Sequence, residues 1–205
     1  MTRKNILSLL TAGAMGITCF SMNISAESAY AAGDVDMDGV VTGHDTAMVS
    51  RYLQEEDYTL TEEQLVLADV DADGEVTQAD ADKLYNEMQV CVLGDVTNDD
   101  PYSVITLNDP SCILNYYSYM GAGVSYNEMN AVEMNLADMN LDGVVDITDS
   151  VIMMGMYAVV GVGLKNELLE NGIYYYSMNS ESPAYVGDMF EYSIADQYKD
   201  GYSGN

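Results

Sequence analysis

The chain contains few of the residues on which several classes of function depend. Its 205 residues include no tryptophan, one histidine and six lysines and arginines, against 34 aspartates and glutamates. The single histidine, His44, argues against a catalytic triad and against a histidine-based metal site. The missing tryptophan removes the largest aromatic surface for stacking on a sugar ring. A net charge of −28 repels nucleic acid and anionic lipid, so neither nucleic acid nor membrane insertion is expected.

The N-terminus has the pattern of a secretory signal peptide. Arg3 and Lys4 form a short basic start, Ile6 to Phe20 is mostly apolar, and Ala29-Tyr30-Ala31 offers a small-x-small cleavage pattern. The apolar stretch is shorter than the roughly 20 residues that span a bilayer. We therefore predict that residues 1–31 are a signal peptide cleaved after Ala31 and that the protein is extracellular. The alternative is a retained anchor.

Cleavage would remove Cys19 and leave Cys91 and Cys112 in the secreted chain. Two cysteines in a secreted protein can form a disulfide, or they can be two buried apolar side chains. Neither has a second cysteine or a histidine at the spacing of a zinc site. The cysteines therefore predict no zinc site, and their pairing stays open.

An acidic motif recurs four times along the chain. DVDMDGVVTGHD at 34–45, DVDADGEVTQAD at 69–80 and DMNLDGVVDITD at 138–149 align without gaps, and an altered copy begins at Asp95. An EF-hand-type calcium loop takes oxygens from its first, third, fifth, seventh, ninth and twelfth residues and turns at a glycine in sixth place. The predicted calcium ligands are Asp34, Asp36, Asp38, Val40, Thr42 and Asp45; Asp69, Asp71, Asp73, Glu75, Thr77 and Asp80; and Asp138, Asn140, Asp142, Val144, Asp146 and Asp149.

The third copy departs from this pattern. Asp100 replaces the turn glycine, and residues 101–103 are an insertion. The candidate ligands that remain are Asp95, Thr97, Asp99 and Asp109. Thr106 and Asp109 keep the spacing of a helix-capping pair, which recurs in all four copies with aspartate in the place of glutamate. The sequence thus predicts four loop–helix segments and three calcium ions, and it leaves a fourth ion open.

The order of these segments resembles that of a dockerin. GDVDMDGVVT at 33–42, RYL at 51–53 and LTEEQLVLADVDADGEVT at 60–77 are typical of the family, and residues 94–165 repeat the order less closely, with Ser125 to Ala137 as the connecting helix. The resemblance implies a mostly α fold of two tandem dockerin-like modules, each a pair of calcium loop–helix segments. The expected domains are residues 32–90, residues 91–165, and a tyrosine-rich extension of unknown role at 166–205. The resemblance also explains the aspartate that closes each loop and a first loop without an incoming helix.

The resemblance implies a partner as well. Dockerins bind cohesin modules in cellulosome-like assemblies that degrade plant polysaccharides, so we expect a non-catalytic adaptor that binds the cohesins of a scaffoldin or cell-surface protein. The family's exposed recognition positions fall here on Gly43, His44, Ser50, Arg51, Gln78, Ala79, Tyr85 and Asn86, and in the second module on Leu107, Asn108, Leu114, Asn115, Ile147, Thr148, Met154 and Gly155. Because Gly43-His44 differs from Gln78-Ala79, binding in two orientations is not expected.

Two other functions stay open: a self-contained extracellular calcium-binding protein, and a non-catalytic part of a dockerin-bearing glycoside hydrolase. The uncharged stretch 151–163 favours either burial on more than one side or contact with a partner. In the extension, Ile173 to Met178 has the composition of a strand and Asp200-Gly201 that of a turn. The extension packs back on the second module, stays disordered, or presents a tyrosine-lined binding strip.

Overall fold

The computed structural model describes residues 29–99, 105–125, 129–161 and 167–187. Its helices are α1 (Gly43–Gln54), α2 (Glu62–Ala68), α3 (Gln78–Lys83), α4 (Asn108–Gly121), α5 (Ala131–Ala137), α6 (Ile147–Gly161) and α7 (Glu167–Glu170), and α3 continues into a π-helical turn at Leu84–Met88. Within these ranges there is no β-strand, and β pairing is confined to an isolated bridge between Ser177 and Tyr185. The described chain is mostly α, as predicted. The expected signal peptide lies almost wholly outside the described residues.

Each acidic loop leads directly into a helix that its last carboxylate caps. The Thr42 hydroxyl accepts a hydrogen bond from the His44 amide at 3.2 Å, and the Asp45 carboxylate accepts one from the Thr42 amide at 2.7 Å. These reciprocal bonds satisfy amides that have no partner within the helix. The same pair of bonds is formed by Thr77 with Asp80, Thr106 with Asp109, and Asp146 with Asp149. The helix starts predicted from the spacing are confirmed for α1, α3 and α6. Helix α4 begins one residue later than predicted, at Asn108 with Leu107 as its N-cap, although Thr106 and Asp109 still make the two bonds.

Residues 91–161, the second half, repeat the local geometry of residues 29–90, the first half. The helices α2 and α5, which connect the loops, each begin at a capping box. The amide of Gly33 donates to the Leu67 carbonyl at 2.8 Å, and the amide of Gly94 donates to the Leu136 carbonyl at 3.0 Å. These two glycines have φ angles of 95° and 96°. The predicted connecting helix at 125–137 is shorter than expected, because α5 begins only at Ala131.

Each half has its own hydrophobic cluster. Val49 and Leu84 lie at the centre of the first cluster, and Ile113 and Met153 lie at the centre of the second. The clusters are joined across the halves, because Ala47 of α1 belongs to the second cluster. Residues 167–187, the tail segment, also contribute to both. Tyr174 and Leu169 pack in the first cluster, whereas Ile173, Tyr175, Tyr176, Ala184 and Val186 pack in the second.

The predicted strand at Ile173 to Met178 is wrong. Residues 173–176 are all buried in succession, whereas a half-buried strand would alternate between a buried and an exposed face. The tail segment lies between two clusters, so neighbouring side chains enter different cores. The tyrosines at 174–176 therefore serve packing rather than a binding strip. Asp200-Gly201 lies outside the described residues.

Cys91 and Cys112 do not form a disulfide. Cys91 is buried in the second cluster, and Cys112 packs at its edge. Burial, with a smaller contribution from the charge of Asp95, raises the pKa of the Cys91 thiol to about 11. A thiol with so high a pKa stays protonated at neutral pH and behaves as a small apolar side chain.

The part of α6 from Val151 onward contains no charged residue, and where its side chains are described it is buried along one side only. Ile152, Met153 and Met156 are buried, whereas Val151 and Met154 are exposed. Helices α4 and α6 pack against each other, so the buried side of α6 faces the second cluster. Among the described residues, no helix combines the length and the apolar character needed to cross a bilayer. The exposed side of α6 is therefore an apolar surface open to solvent.

Candidate metal site and recognition surface

The first acidic loop gathers three carboxylates around one point. Asp34, Asp36 and Asp38 each place an oxygen within 4.8 Å of the others. The chain turns at Gly39, whose φ of 99° lies in the left-handed region that favours glycine. The Gly39 amide donates to Asp34 Oδ2 at 3.1 Å, and the Asp38 amide donates to Asp36 Oδ1 at 3.0 Å. Backbone amides thus hold the carboxylates in the orientation of an oxygen cage.

One oxygen of this cage has no hydrogen-bond partner. Asp34 is 1% exposed, and its Oδ1 atom is buried without a donor. A buried carboxylate oxygen without a partner is costly, and nearby donors or a cation remove that cost. Calcium prefers carboxylate and carbonyl oxygens, which this loop supplies. The donor set and the unpartnered oxygen fit a calcium ion held by Asp34, Asp36 and Asp38, with the further ligands predicted from the spacing.

The second loop repeats the same local bonds in a more exposed setting. Asp69, Asp71 and Asp73 form the other group of three carboxylates that are close enough, within the described ranges, to hold an ion. The Gly74 amide donates to Asp69 Oδ2 at 2.9 Å, and the Asp73 amide donates to Asp71 Oδ1 at 3.1 Å. The twofold repetition of one bonding pattern indicates that both loops are built for the same ligand.

The fourth loop has this geometry with an amide in place of one carboxylate. The Gly143 amide donates to Asp138 Oδ2 at 2.8 Å, and the Asp142 amide donates to Asn140 Oδ1 at 2.9 Å. Asp138 is buried and Asp142 is exposed. Side-chain amides of asparagine are common calcium ligands. The loop is therefore a candidate site in which Asn140 replaces the carboxylate at the third position, while Asp146 adds a carboxylate at the ninth position, where the first two loops have threonine.

The third loop uses its acidic side chains differently. Asp95 and Asp109 are fully buried. Both the amide and the hydroxyl of Thr97 donate to Asp109 Oδ1 at 2.8 Å. Asp99 accepts hydrogen bonds from the Asn108 side chain and the Thr106 hydroxyl. Asp99 thus bonds to side chains at the start of α4, whereas Asp38 and Asp73 at the corresponding position accept from amides of their own loops. Asp100 lies outside the described residues.

The aspartate that closes each intact loop is shared between loop and helix. Asp45 is fully buried, and its carboxylate accepts from the amides of Val35 at 2.7 Å and Asp36 at 3.0 Å besides that of Thr42. Burial, with a smaller contribution from the charge of Asp36, raises the pKa of Asp45 to about 7. Burial also raises the pKa of Asp149 to about 6. Metal-free loops therefore hold protons that the unfolded chain would release.

The calcium-free protein is expected to gain stability as the pH falls from about 8 to about 5. Asp45 and Asp149 have an ordinary pKa of 3.8, and their folded values are higher, so the folded state binds more protons in this window. Stability is then lost as the pH rises through the folded values. Thermal melts in calcium-stripped buffer at stepped pH test this dependence. A melting temperature that rises with pH in the absence of calcium would contradict it.

The expectation that the recognition positions of α1 are exposed is wrong. Gly43, His44 and Ser50 are all buried. The Ser50 hydroxyl donates to the Gly172 carbonyl at 3.4 Å and accepts from the Tyr174 amide at 3.1 Å. The physical reason is that the tail segment lies along this side of α1.

Residues of the second half cover the rest of this side of α1. The Gly43 amide donates to the Cys91 carbonyl at 2.8 Å. Arg51 donates from Nη1 to the Asn140 carbonyl at 3.2 Å and to the Leu141 carbonyl at 2.6 Å. His44 Nδ1 lies 2.7 Å from Asp36 Oδ2. The polar groups predicted to meet a partner are therefore satisfied within the chain.

The other recognition positions differ in exposure. In the first half, Ala79 and Asn86 are exposed, Gln78 donates to the Gly172 carbonyl at 2.9 Å, and the Tyr85 ring stacks on Tyr174 with centroids 4.5 Å apart. In the second half, the exposed positions are Leu107, Asn108, Asn115, Ile147 and Met154, and the half-buried ones are Leu114, Thr148 and Gly155. The recognition positions of the second half are thus exposed or half-buried, whereas Gly43, His44 and Ser50 of the first half are buried.

One residue near the first loop was missed by the sequence reasoning. Asn135 of α5 donates from Nδ2 to Asp36 Oδ2 and to Asp38 Oδ2, both at 3.0 Å. An asparagine in a short amphipathic helix carries no local signal for such a contact. Nearly one hundred residues separate it from the loop, so only the tertiary structure reveals it.

The fold and the loops together define a helical protein of paired acidic loop–helix segments, two of which bring three carboxylates close enough to hold a metal ion. Within this class, the family described as dockerin type I domain matches residues 32–89. This part of the chain is a dockerin type I domain, and dockerins bind calcium and cohesin modules. The comparisons with curated proteins and with solved structures gave no match.

Proposed function

We propose that this protein is a secreted, calcium-dependent adaptor that binds cohesin modules of a cellulosome-like, polysaccharide-degrading assembly. The observation that carries the proposal is the dockerin type I domain at residues 32–89, whose first loop leaves Asp34 Oδ1 buried and unpartnered. The identified domain is a non-catalytic module. We accordingly propose a binding role for the whole chain rather than catalysis.

Calcium would act in this adaptor as a structural ion. The ligands we propose are those predicted for the first, second and fourth loops, with the third loop left to its internal hydrogen bonds. The ion would neutralise clustered carboxylates and so fix the loops from which α1, α3 and α6 begin. The chain's own amides orient the carboxylates, and Asp45, Asp80 and Asp149 join each loop to the helix that a partner contacts.

The second half is the partner-binding surface that we propose. Residues 91–161 repeat the geometry of the dockerin domain, which supports a second, divergent dockerin-like module. Its exposed apolar side chains Leu107, Ile147 and Met154 lie on α6 and at the start of α4, two helices that pack together. Exposed apolar groups on adjacent helices are typical of an interaction surface. Methionine suits such a surface because its side chain adapts to different partners.

Substitution of Met154 by aspartate is expected to weaken cohesin binding by about 30-fold or more, the loss seen when a central contact residue is removed. The charge would have to be buried in an apolar contact. The matched control is Val66→Asp on α2, since Val66 is also exposed and apolar but lies in the first half. Affinities of the full chain in calcium for cohesins encoded in the same genome provide the measurement.

Two outcomes would contradict the proposal. Failure of the folded, calcium-loaded chain to bind any cohesin of that genome would exclude the adaptor function. Equal binding by wild type and Met154→Asp would leave cohesin binding intact but would place the partner elsewhere.

The covered side of α1 favours a second candidate function. A self-contained extracellular calcium-binding protein needs no open recognition surface, and Ser50 and Gly43 are satisfied inside this chain. That candidate is supported if calcium binds to the loops while the whole cohesin panel fails to bind.

A further inference from the structure

The first acidic loop is in contact with the second half of the chain at its ligand oxygens. Asn135 Nδ2 lies 3.0 Å from Asp36 Oδ2 and 3.0 Å from Asp38 Oδ2. The opposite oxygens of the same carboxylates accept from the backbone amides of Asp38 and Val40 at 3.0 Å. Both carboxylates are therefore held from two sides, by their own loop and by α5.

The second loop provides an internal comparison. Asp71 and Asp73 occupy the corresponding places there, and their Oδ1 atoms accept from backbone amides in the same way. Both residues are exposed, whereas Asp36 and Asp38 are half-buried. Asn135 of the second half thus bonds to carboxylate oxygens of the first loop. The corresponding aspartates of the second loop are exposed to solvent.

The contact between the halves is reciprocal. Arg51 of α1 donates to the carbonyls of Asn140 and Leu141 in the fourth loop, and its Nε donates to Glu55 at 2.8 Å. The Arg51 guanidinium lies 4.7 Å from the centroid of the Tyr58 ring, which also limits its motion. Each half therefore holds an acidic loop of the other half.

A cavity of about 260 Å³ lies between these two contacts. Its walls include His44 and Tyr58 from the first half and Asn135, Asp138 and Leu141 from the second. Asp138 and Asn135 thus border one space from the fourth loop and from α5. Residues of the first and fourth loops therefore border the same cavity at the junction of the halves.

We propose that Asn135 is a positioning residue of the first calcium loop, so that calcium binding there and docking of the two halves reinforce each other. This inference rests on the proposed calcium binding. Two carboxylates repel each other, and a neutral amide that donates to both holds them together before the ion arrives. Each carboxylate oxygen has two lone pairs. Asp36 Oδ2 faces both Asn135 and His44 Nδ1, so Asp36 Oδ1, which accepts one amide, is the oxygen left to bind calcium, and Asp38 keeps a lone pair on each oxygen. By thermodynamic linkage, if the contact of the Asn135 amide increases calcium affinity by some free energy, bound calcium stabilises the docking of the two halves by the same free energy.

The loops contain their own site-specific reporters. The amides of Gly39, Gly74 and Gly143 each donate to the first aspartate of their own loop, at 3.1, 2.9 and 2.8 Å. Calcium bound to that aspartate will change the amide's chemical shift. A calcium titration of the full chain, followed by the three glycine resonances in amide NMR spectra, therefore measures occupancy loop by loop.

Asn135→Ala is expected to raise the calcium concentration at the Gly39 midpoint by about 10- to 100-fold, the usual cost of losing a group that orients metal ligands. The calcium concentration at the Gly74 midpoint should not change, because the contact of Asn135 is with the first loop and not with the second. The control is Asn179→Ala, which removes an exposed asparagine of the tail segment whose Oδ1 accepts from the nearby Glu181 amide. It should leave all three midpoints unchanged.

Asn135→Asp separates positioning from direct ligation and serves if the alanine variant fails to fold. It keeps the shape, removes the donor and adds a charge beside Asp36 and Asp38, so a positioning role predicts weaker binding at Gly39 than in Asn135→Ala. Tighter binding would mean that the side chain is a ligand, which overturns the inference. Equal shifts at Gly39 and Gly74, or no shift, would overturn it too. If the wild-type glycines do not respond to calcium, the proposed calcium dependence itself has failed.

Discussion

Removal of calcium with EDTA at neutral pH is expected to abolish most of the helical circular dichroism of this protein. An ion at 100 times its dissociation constant stabilises the fold by about 2.7 kcal/mol, so three sites contribute roughly 8 kcal/mol. That is comparable with the whole stability of a typical domain, about 5–15 kcal/mol. Without the ions, a chain of net charge −28 must also keep its carboxylate clusters together.

The measurement is a thermal melt followed by circular dichroism, in calcium and after exhaustive chelation. EDTA already saturated with calcium provides the control, because it has the same ionic strength without removing the ion. Identical spectra and melting curves in both conditions would mean that the acidic loops do not maintain the fold by binding metal.

Asp45→Ala is expected to be the most damaging single substitution in the first loop. The Asp45 carboxylate is the acceptor for the backbone amides of Val35, Asp36 and Thr42 in a fully buried position. Each amide left without a partner costs about 1–3 kcal/mol, so three cost at most about 9 kcal/mol, and because the loop can relax toward water we expect the loss in unfolding free energy to be about 3–5 kcal/mol. The melting temperature should fall by roughly 10 °C, and the Gly39 resonance should stop responding to calcium.

The matched control is Asp57→Ala, which removes the same charge from an exposed position outside the loops. It should change the melting temperature by a degree or two at most. If both variants melt alike in calcium, Asp45 has no special role in joining the loop to α1.

The loops and the helix starts could be predicted because their determinants are local. A twelve-residue pattern of aspartates around Gly39, Gly74 or Gly143 contains its own turn and ligands, and the closing aspartate contains the helix cap. The structure reproduces these bonds in each intact copy. Local patterns of this kind can be recognised in the sequence without knowing how the rest of the chain packs.

The covered side of α1 could not be predicted, because its partners are far away in sequence. Ser50 bonds to Gly172 and Tyr174, which lie 122 and 124 residues further along. Small polar residues such as Ser50 look like surface residues in the sequence, and a buried hydroxyl is identified only by its partners. The contact of Asn135 with the first loop could not be predicted for the same reason, because its partners are 99 and 97 residues away in the sequence.

The tail segment misled the sequence reasoning for a related reason. Tyr174, Tyr175 and Tyr176 have high strand propensity, but propensity in β-structure depends on what the side chains pack against. Tyr175 is 1% exposed, and its hydroxyl donates to Glu55 at 3.2 Å. Glu55 also accepts from Ser182 at 2.6 Å, which fixes the far end of the tail segment to α1.

Gly43 limits which modules could be recombined with this one. A β-carbon at that position would lie 2.6 Å from the Val92 carbonyl carbon and would overlap the backbone of Leu93. A dockerin segment grafted here with any larger residue in this place would push the backbone of Val92 and Leu93 away from α1. Chimeras built for synthetic enzyme scaffolds should therefore either keep this glycine or be cut before residue 91, where the clash does not arise.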